Sequence, residues 1–440
     1  MTGIADNKPA EIGAPTDSAA RFSSMDIARG IALFGILIMN IPGMGLPLAA
    51  YGNPNAYGGA TGIDLNVWLT VNVFFESTMR TIFSLLFGAG LILFMDRLSE
   101  RLPGNQAADL YMKRNILLVF FGAIHGYLLL WQGDILYSYG LAALFLFGMR
   151  HFKTKTFIIL IIGLMAIVGY SNYTKYANHV EMSELAQVAE EKKASGAELS
   201  EDEVKHVENW DRAFNQSHPK PEKFAKEIAN TQSGYWHNVT SFFGRMQMFE
   251  SIIVYTWFFW DALLCMMIGV VLYRWGVLTL QVPHKVYLAM IVVGYGIGLP
   301  LRYILSIDII ESDFNPIAFD MYRLLLDPGR ILVGGAHIGL IMLFCQSGIL
   351  RWLQHALASV GRMALTNYLS HSIVAIFVFT GVGAALFGEL ARHELYYIWA
   401  AICVFQLITS PIWLKYFRFG PFEWLWRSMT YGQLQSMRKL

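Results

Sequence analysis

Charge is what this sequence has least of. Asp, Glu, Lys and Arg make up only 15% of its 440 residues, against 55% hydrophobic residues, and its mean hydropathy is +0.43. A soluble domain of this length carries more charge than that. The formal net charge of +1 lacks the basic excess that nucleic acid attracts, so no nucleic-acid partner is expected. Cysteine is almost as scarce. Cys265, Cys345 and Cys403 each fall inside an apolar run, with no pair at metal or redox spacing, and read as small buried side chains that form no disulfide. There is no HExxH, and no GxxxxGK[ST], GxSxG or GxGxxG in a plausible context; metal and nucleotide-hydrolysis chemistry are therefore poor readings. Internal repeats are also missing, which weakens the case for a standard secondary transporter. Residues 1–20 have no apolar run, so the chain is expected to open on a disordered cytoplasmic tail and not on a signal peptide.

What is present is a series of apolar windows long enough for a ~30 Å hydrocarbon core. They fall at residues 27–42, 66–95, 115–131, 135–149, 156–170, 249–273, 286–305, 330–345, 363–387 and 395–413. The expected fold is all-α, a polytopic membrane bundle of about ten helices. The second and ninth windows are long enough to be tilted, broken or partly re-entrant, and the fourth is short. Basic residues collect in alternate loops, from Arg97, Arg101, Lys113 and Arg114 to Lys415, Arg418, Arg427, Arg438 and Lys439, whereas loops 43–65 and 132–134 hold no Lys or Arg. By the positive-inside rule both termini are cytoplasmic. Residues 171–248 depart from the pattern: they are polar, with acids and lysines at helical spacing between Glu181 and Asn209. This is the expected extracytoplasmic insert, read either as a solvated helical hairpin or as a lid that recruits an acceptor. The organisation expected is thus a tail (1–22), five helices (23–170), the insert (171–248), five more helices (249–415) and an aromatic and basic tail (416–440). Its aromatics, with those at other span ends, read as interfacial anchors.

Polar residues inside the spans are the candidate functional groups, because intramembrane charge is costly. The first span opens on Asp26 and Arg29, three residues apart. Asn72, Glu76 and Arg80 follow at i, i+4 and i+8, which places them on one helical face with Glu76 able to pair with Arg80, as a structural ion pair or as part of a substrate site. His125 lies near the end of the third span and Asp134 at the start of the fourth; they can act as a base and its orienting acid, or the acid can be a helix N-cap. Glu250 and Asp261, Arg302, Arg330 with His337, and Asn367 with His371 complete the set. Together they could line one polar cavity across the membrane, or be scattered contacts between helices.

Five stretches carry a family resemblance: RFSSMDIARGIALFGILIMNI, RTIFSLLFGAG from Arg80, the run from Arg114 through HGYLLLWQGDILYSYG, GRMALTNYLSHS from Gly361 and FRFGPFEWLWRSMTYG. In order and spacing the chain resembles the YeiB-like family of bacterial inner-membrane proteins. That family is distantly similar to transmembrane acyltransferases such as the lysosomal heparan-alpha-glucosaminide N-acetyltransferase, which also open on an SxDxxRG helix. The resemblance implies transfer of an acyl group from cytoplasmic acyl-CoA, as co-substrate, to a small-molecule or glycan acceptor on the far side, with no metal. A histidine base is implied too. Residues 52–65 lack the histidine that the lysosomal enzyme places there, so His125 takes the role, with Arg29, Arg80 and Arg114 as candidates for the coenzyme phosphates. Asp26, Glu76, Arg330, His337, Asn367 and His371 complete the expected substrate-binding set. The rival reading is a transporter or flippase for a small metabolite or lipid-linked sugar, using the same residues. Lipids are partners under either reading, and an oligomer is compatible with both.

Overall fold

The computed structural model describes residues 23–218 and 220–439; the tail expected at 1–22 lies outside them. Among the described residues the chain is helical throughout and contains no strand. It is an all-α bundle. Seven stretches are long and apolar enough to cross a membrane: α1 (Ser23–Gly45), the broken pair α3 (Gly62–Phe74) and α4 (Thr78–Arg101), α7 (Thr154–Ala194), α10 (Tyr235–Met248) continued through a π-helical turn into α11 (Phe259–Arg274), α12 (His284–Glu311), α13 (Pro316–Ser347) and α16 (Arg392–Tyr416). The other three expected crossings are α5 (Gly104–Leu128) and two shorter apolar helices, α6 (Leu136–Gly148) and α15 (Ala364–Phe379). The ninth predicted window is shorter than its apolar run suggests, because the chain turns after Phe379. Small helices complete the set: α2 (Ala49–Gly52), α8 (Glu201–Ser217), α9 (Pro221–Thr231), α14 (Arg351–Arg362) and α17 (Pro421–Tyr431).

Helices surrounded by lipid gain little from hydrophobic association, so they meet where small residues let backbones approach. A Cβ at Gly269 would overlap the Leu85 carbonyl and one at Gly88 would overlap Met266, so α4 and α11 cross in backbone contact. Gly30 and Gly361 do the same for α1 and α14. These crossings bury Leu33, Ile82, Leu86, Cys265 and Met266 almost completely. The apolar half of α7, by contrast, turns Ile159, Ile162, Ile167 and Tyr170 outward, the pattern of a helix whose solvent is lipid.

α7 has 41 residues, about 60 Å at 1.5 Å per residue. That is twice the ~30 Å hydrocarbon core. The helix passes Ser171 without a break, so the span and the first part of the polar segment are one rod. α8 folds back beside it, started by a capping box in which Ser200 and Glu203 satisfy each other's backbone N–H groups. The Lys192 ammonium bonds Glu203 at 2.7 Å and, with the Ser200 N–H, holds its carboxyl down at about 2.

The second predicted span is broken, and the break overturns one expectation. Residues 75–77 leave the helix and Ser77 has φ +56°, a left-handed conformation that costs a β-carbon residue energy unless its surroundings hold it. Arg302 supplies the hold. Its Nε donates to the Val73 carbonyl at 2.8 Å and its Nη2 to the Glu76 carbonyl at 2.9 Å and to the Asn72 carbonyl. A buried cation thus satisfies the orphan carbonyls at the end of α3. Because helical spacing lapses here, Asn72, Glu76 and Arg80 do not share a face, and Glu76 does not pair with Arg80. The Tyr51 hydroxyl donates to Glu76 at 2.8 Å, and Arg80 turns to Asp261.

Candidate functional site

α5 ends three residues after His125, and a short turn carries the chain to α6, which begins two residues after Asp134. Gly122 allows the two helices to close, since a Cβ there would overlap the Tyr137 backbone. Asp134 then works in two directions. Its Oδ2 accepts the Tyr137 N–H at 2.8 Å, capping α6, and its Oδ1 lies 2.6 Å from His125 Nδ1. The cap and the orienting acid are the same residue. A carboxylate can only accept, so Nδ1 donates to it, and in the neutral imidazole this leaves a lone pair on Nε2. That lone pair faces Ser372 Oγ on α15, 2.7 Å away. His125 and Asp134 are fully buried and Ser372 nearly so. The edge of the Tyr368 ring packs on His125 at 4.9 Å.

Above this trio lies a cavity of about 110 Å³. Ser372, Trp131, Gln132 and Thr380 line its floor and walls, and Glu227 of α9 and Arg245 of α10 stand over it, joined at 3.2 Å. Residues of α9 and α10, in the polar insert, thus form part of the cavity wall. Gln132 Oε1 and, next to Ser372 in the chain, His371 Nδ1 are buried with no hydrogen-bond partner, and the Trp131 indole lies beside the Tyr368 hydroxyl. Buried polar atoms are rarely left unpaired, and that of Gln132 belongs to a cavity-lining side chain.

The remaining candidates do not form one cavity with these. They sort into separate clusters. Asn367 and His371 join α15 to α16: Asn367 Nδ2 donates to the Val360 carbonyl and to Ser410 Oγ, both at 3.2 Å, and His371 Nε2 meets Gln406 Oε1 at 3.3 Å. Near mid-bundle, Arg80 bonds Asp261 at 2.7 Å, and Arg330 bonds Asp261 at 2.5 Å, Asp327 at 2.7 Å and Thr81 Oγ1 at 2.8 Å. Two arginines and two aspartates neutralise one another there, which is how a bundle tolerates such charges. His337 bonds the Tyr295 hydroxyl at 2.9 Å, apart from both groups.

At the end of the bundle where α1 begins, Arg29 pairs with Asp26 at 2.9 Å. The Arg114 guanidinium lies 3.8 Å from the centre of the Trp426 ring and 5.0 Å from that of Phe94, a cation held between aromatic rings. Arg29 and Arg427 are close enough to repel it. Arg80 is not part of this group: Arg29 approaches Gly90, and Arg80 stands ten residues away on α4, about 15 Å along its axis. α17, which carries Trp426 and Arg427, also sets α15 in place. Its Glu423 accepts the Leu365 and Thr366 N–H groups at 2.6 and 3.0 Å and the Thr366 hydroxyl at 2.5 Å, a carboxylate at a helix N-terminus. Burial pushes the Glu423 carboxyl up from its ordinary value.

Sequence reasoning missed Ser372 and Arg427 as site residues. Serine in an apolar helix commonly bonds the carbonyl one turn back, so its type and spacing gave no signal, and only the packing of α15 on α5 brings it to His125. Arg427 was legible only as a tail charge.

The family described as "Protein of unknown function (DUF418)" matches residues 272–433. The chain is 29% identical to "Uncharacterized protein YeiB" of Escherichia coli (strain K12) over 92% of its own length and 95% of the relative's. It is 28% identical to "Uncharacterized protein YxaH" of Bacillus subtilis (strain 168), covering 97% and 98%. No solved structure matches. Over nearly the whole of both relatives, and with the apolar helices of a multi-pass membrane bundle, the chain is similar to the YeiB-like proteins, and its residues 272–433 match the DUF418 family.

Proposed function

We propose that this protein is an acyltransferase of the bacterial inner membrane that moves an acyl group from cytoplasmic acyl-CoA to an acceptor, a sugar hydroxyl or amine, on the far side. One observation carries the reading: His125 is held by Asp134 with its Nε2 lone pair directed at a hydroxyl beneath a cavity. That is the arrangement of a general base whose tautomer has been chosen for it. Asp134 would also stabilise the imidazolium formed when the base takes a proton. The basic loops at the end where α1 begins support placing both termini in the cytoplasm. The insert then covers the opposite face, where the acceptor would enter under α9 and α10.

The donor would lay its phosphates against Arg29 and Arg114. Arg114 and His125 are eleven residues apart on α5, three turns, so they share a face at a separation of about 16 Å. The extended thiol arm of coenzyme A suits such a gap, whereas a compact donor could not touch both.

Purified protein should bind acetyl-CoA in isothermal titration and release free thiol when an acceptor is supplied. Losing one guanidinium in Arg114→Ala or Arg29→Ala should weaken binding about 10- to 100-fold, since hydrogen bonds to charged groups are worth about 1.5–3 kcal/mol. His125→Ala should leave binding intact and abolish thiol release. Absence of binding by the parent protein to any acyl-CoA would overturn the reading, and movement of unmodified cargo across proteoliposomes would establish a transporter instead.

A further inference from the structure

We infer that Ser372 is a nucleophile which carries the acyl group between donor and acceptor, so that transfer runs by two displacements through an acyl-serine on α15. The inference rests on the acyl-transfer reading above. A base that acted directly on an acceptor would present Nε2 to the cavity. Here His125 has no exposed surface and does not line the cavity; Ser372 does, and its Oγ covers Nε2 at 2.7 Å. A thioester carbonyl that reaches the cavity, from whichever end its donor enters, therefore meets the serine oxygen before the imidazole. The chain of contacts Asp134 Oδ1, His125 Nδ1, His125 Nε2, Ser372 Oγ, at 2.6 and 2.7 Å, is the one that activates a hydroxyl for attack, and such a constellation is recognised by geometry and not by sequence order.

Each step balances. Ser372 Oγ forms a bond to the thioester carbon as His125 Nε2 takes the hydroxyl proton. The carbon–sulfur bond then breaks, and the leaving thiolate takes that proton to depart as a thiol. The acceptor's oxygen or nitrogen next attacks the acyl carbon while giving its proton to His125. The ester bond to Ser372 breaks and the proton returns to Oγ.

Full-length protein incubated with acetyl-CoA and no acceptor, then quenched in acid, should gain the mass of one acetyl group, mapped by peptide mass spectrometry to the segment holding Ser372 and released by hydroxylamine. The adduct should vanish in Ser372→Ala, form at least 100-fold more slowly in His125→Ala, and persist as a thioester in Ser372→Cys. A fluorophosphonate probe, which needs no donor site, should label Ser372 and not Ser372→Ala. If the parent protein releases thiol with no adduct and Ser372→Ala turns over at the parent rate, the serine is no nucleophile although acyl transfer stands. If acetyl-CoA neither binds nor reacts, the acyl-transfer reading fails, and absence of probe labelling then overturns the serine as well.

Discussion

Asp134 shows how much a single residue determines here. It caps α6 with one oxygen and orients His125 with the other, so changing its charge without changing its shape separates the two roles. Asp134→Asn can still accept the Tyr137 N–H, and the bundle should fold. The amide no longer requires the Nδ1–H tautomer, and thiol release should fall by about 10²- to 10⁴-fold; an unchanged rate would remove Asp134 from the chemistry. The buried charges allow a second ranking. Arg330→Ala would strip Asp327 of its arginine and leave Asp261 with only Arg80, and breaking a buried pair costs about 3–5 kcal/mol. Arg80→Ala leaves Asp261 held by Arg330 and should cost less. Glu76→Gln can still accept from the Tyr51 hydroxyl and should cost least. Thermal unfolding in detergent would report the order, and a loss for Glu76→Gln equal to that for Arg330→Ala would mean that the partners are assigned wrongly.

At the scale of elements, glycine decides which helices cross and where. Gly269 sits against the Leu85 backbone, whereas Gly163 on α7 has nothing within 4 Å. Gly269→Val should push α4 from α11, separate Arg80 from Asp261 and remove most folded protein, since overpacking costs about 1–3 kcal/mol even before an ion pair is disturbed. Gly163→Val, pointing at lipid, should leave the yield unchanged. Size-exclusion profiles of the two variants side by side make the comparison; equal yields would show that the α4–α11 crossing is looser than described. The insert is an element of another kind. Its pair, Arg245 and Glu227, is partly exposed and so is worth about 0–1 kcal/mol, while Gln232 and Tyr235 tie it to the Phe387 and Leu128 carbonyls at 3.0 and 2.7 Å.

For the whole molecule, the prediction is a topology. In a background lacking Cys265, Cys345 and Cys403, an impermeant thiol reagent applied to intact cells should label Glu201→Cys on α8 and fail to label Met437→Cys in the tail. The reverse pattern would invert the bundle, and with it the direction of the proposed acyl transfer. The fold also explains why the two candidate binding regions do not merge. Arginines gather at the end where α1 begins, the His125 cavity lies at the end where α1 finishes, and the self-neutralised cluster of Arg80, Asp261, Arg330 and Asp327 stands apart from both.

The sequence alone determined the medium, the helical class and the order of the crossings, because apolar run length and backbone hydrogen bonding in lipid leave no other solution. It also determined that His125 and Asp134 meet, because nine residues of helix end and turn separate them and the contact is local. What it could not determine was every partner chosen across helices. Arg80 pairs with Asp261, 181 residues away, and not with Glu76 four residues away, because a break at Ser77 cancels the helical period that made the nearer pairing plausible. Ser372 reaches His125 across 247 residues, by a close approach of α15 to α5 to which nothing in the local pattern of either helix points. Local periodicity encodes which face of a helix is polar; which polar face it meets is decided by where the glycines allow backbones to touch, and that is a property of the packed bundle.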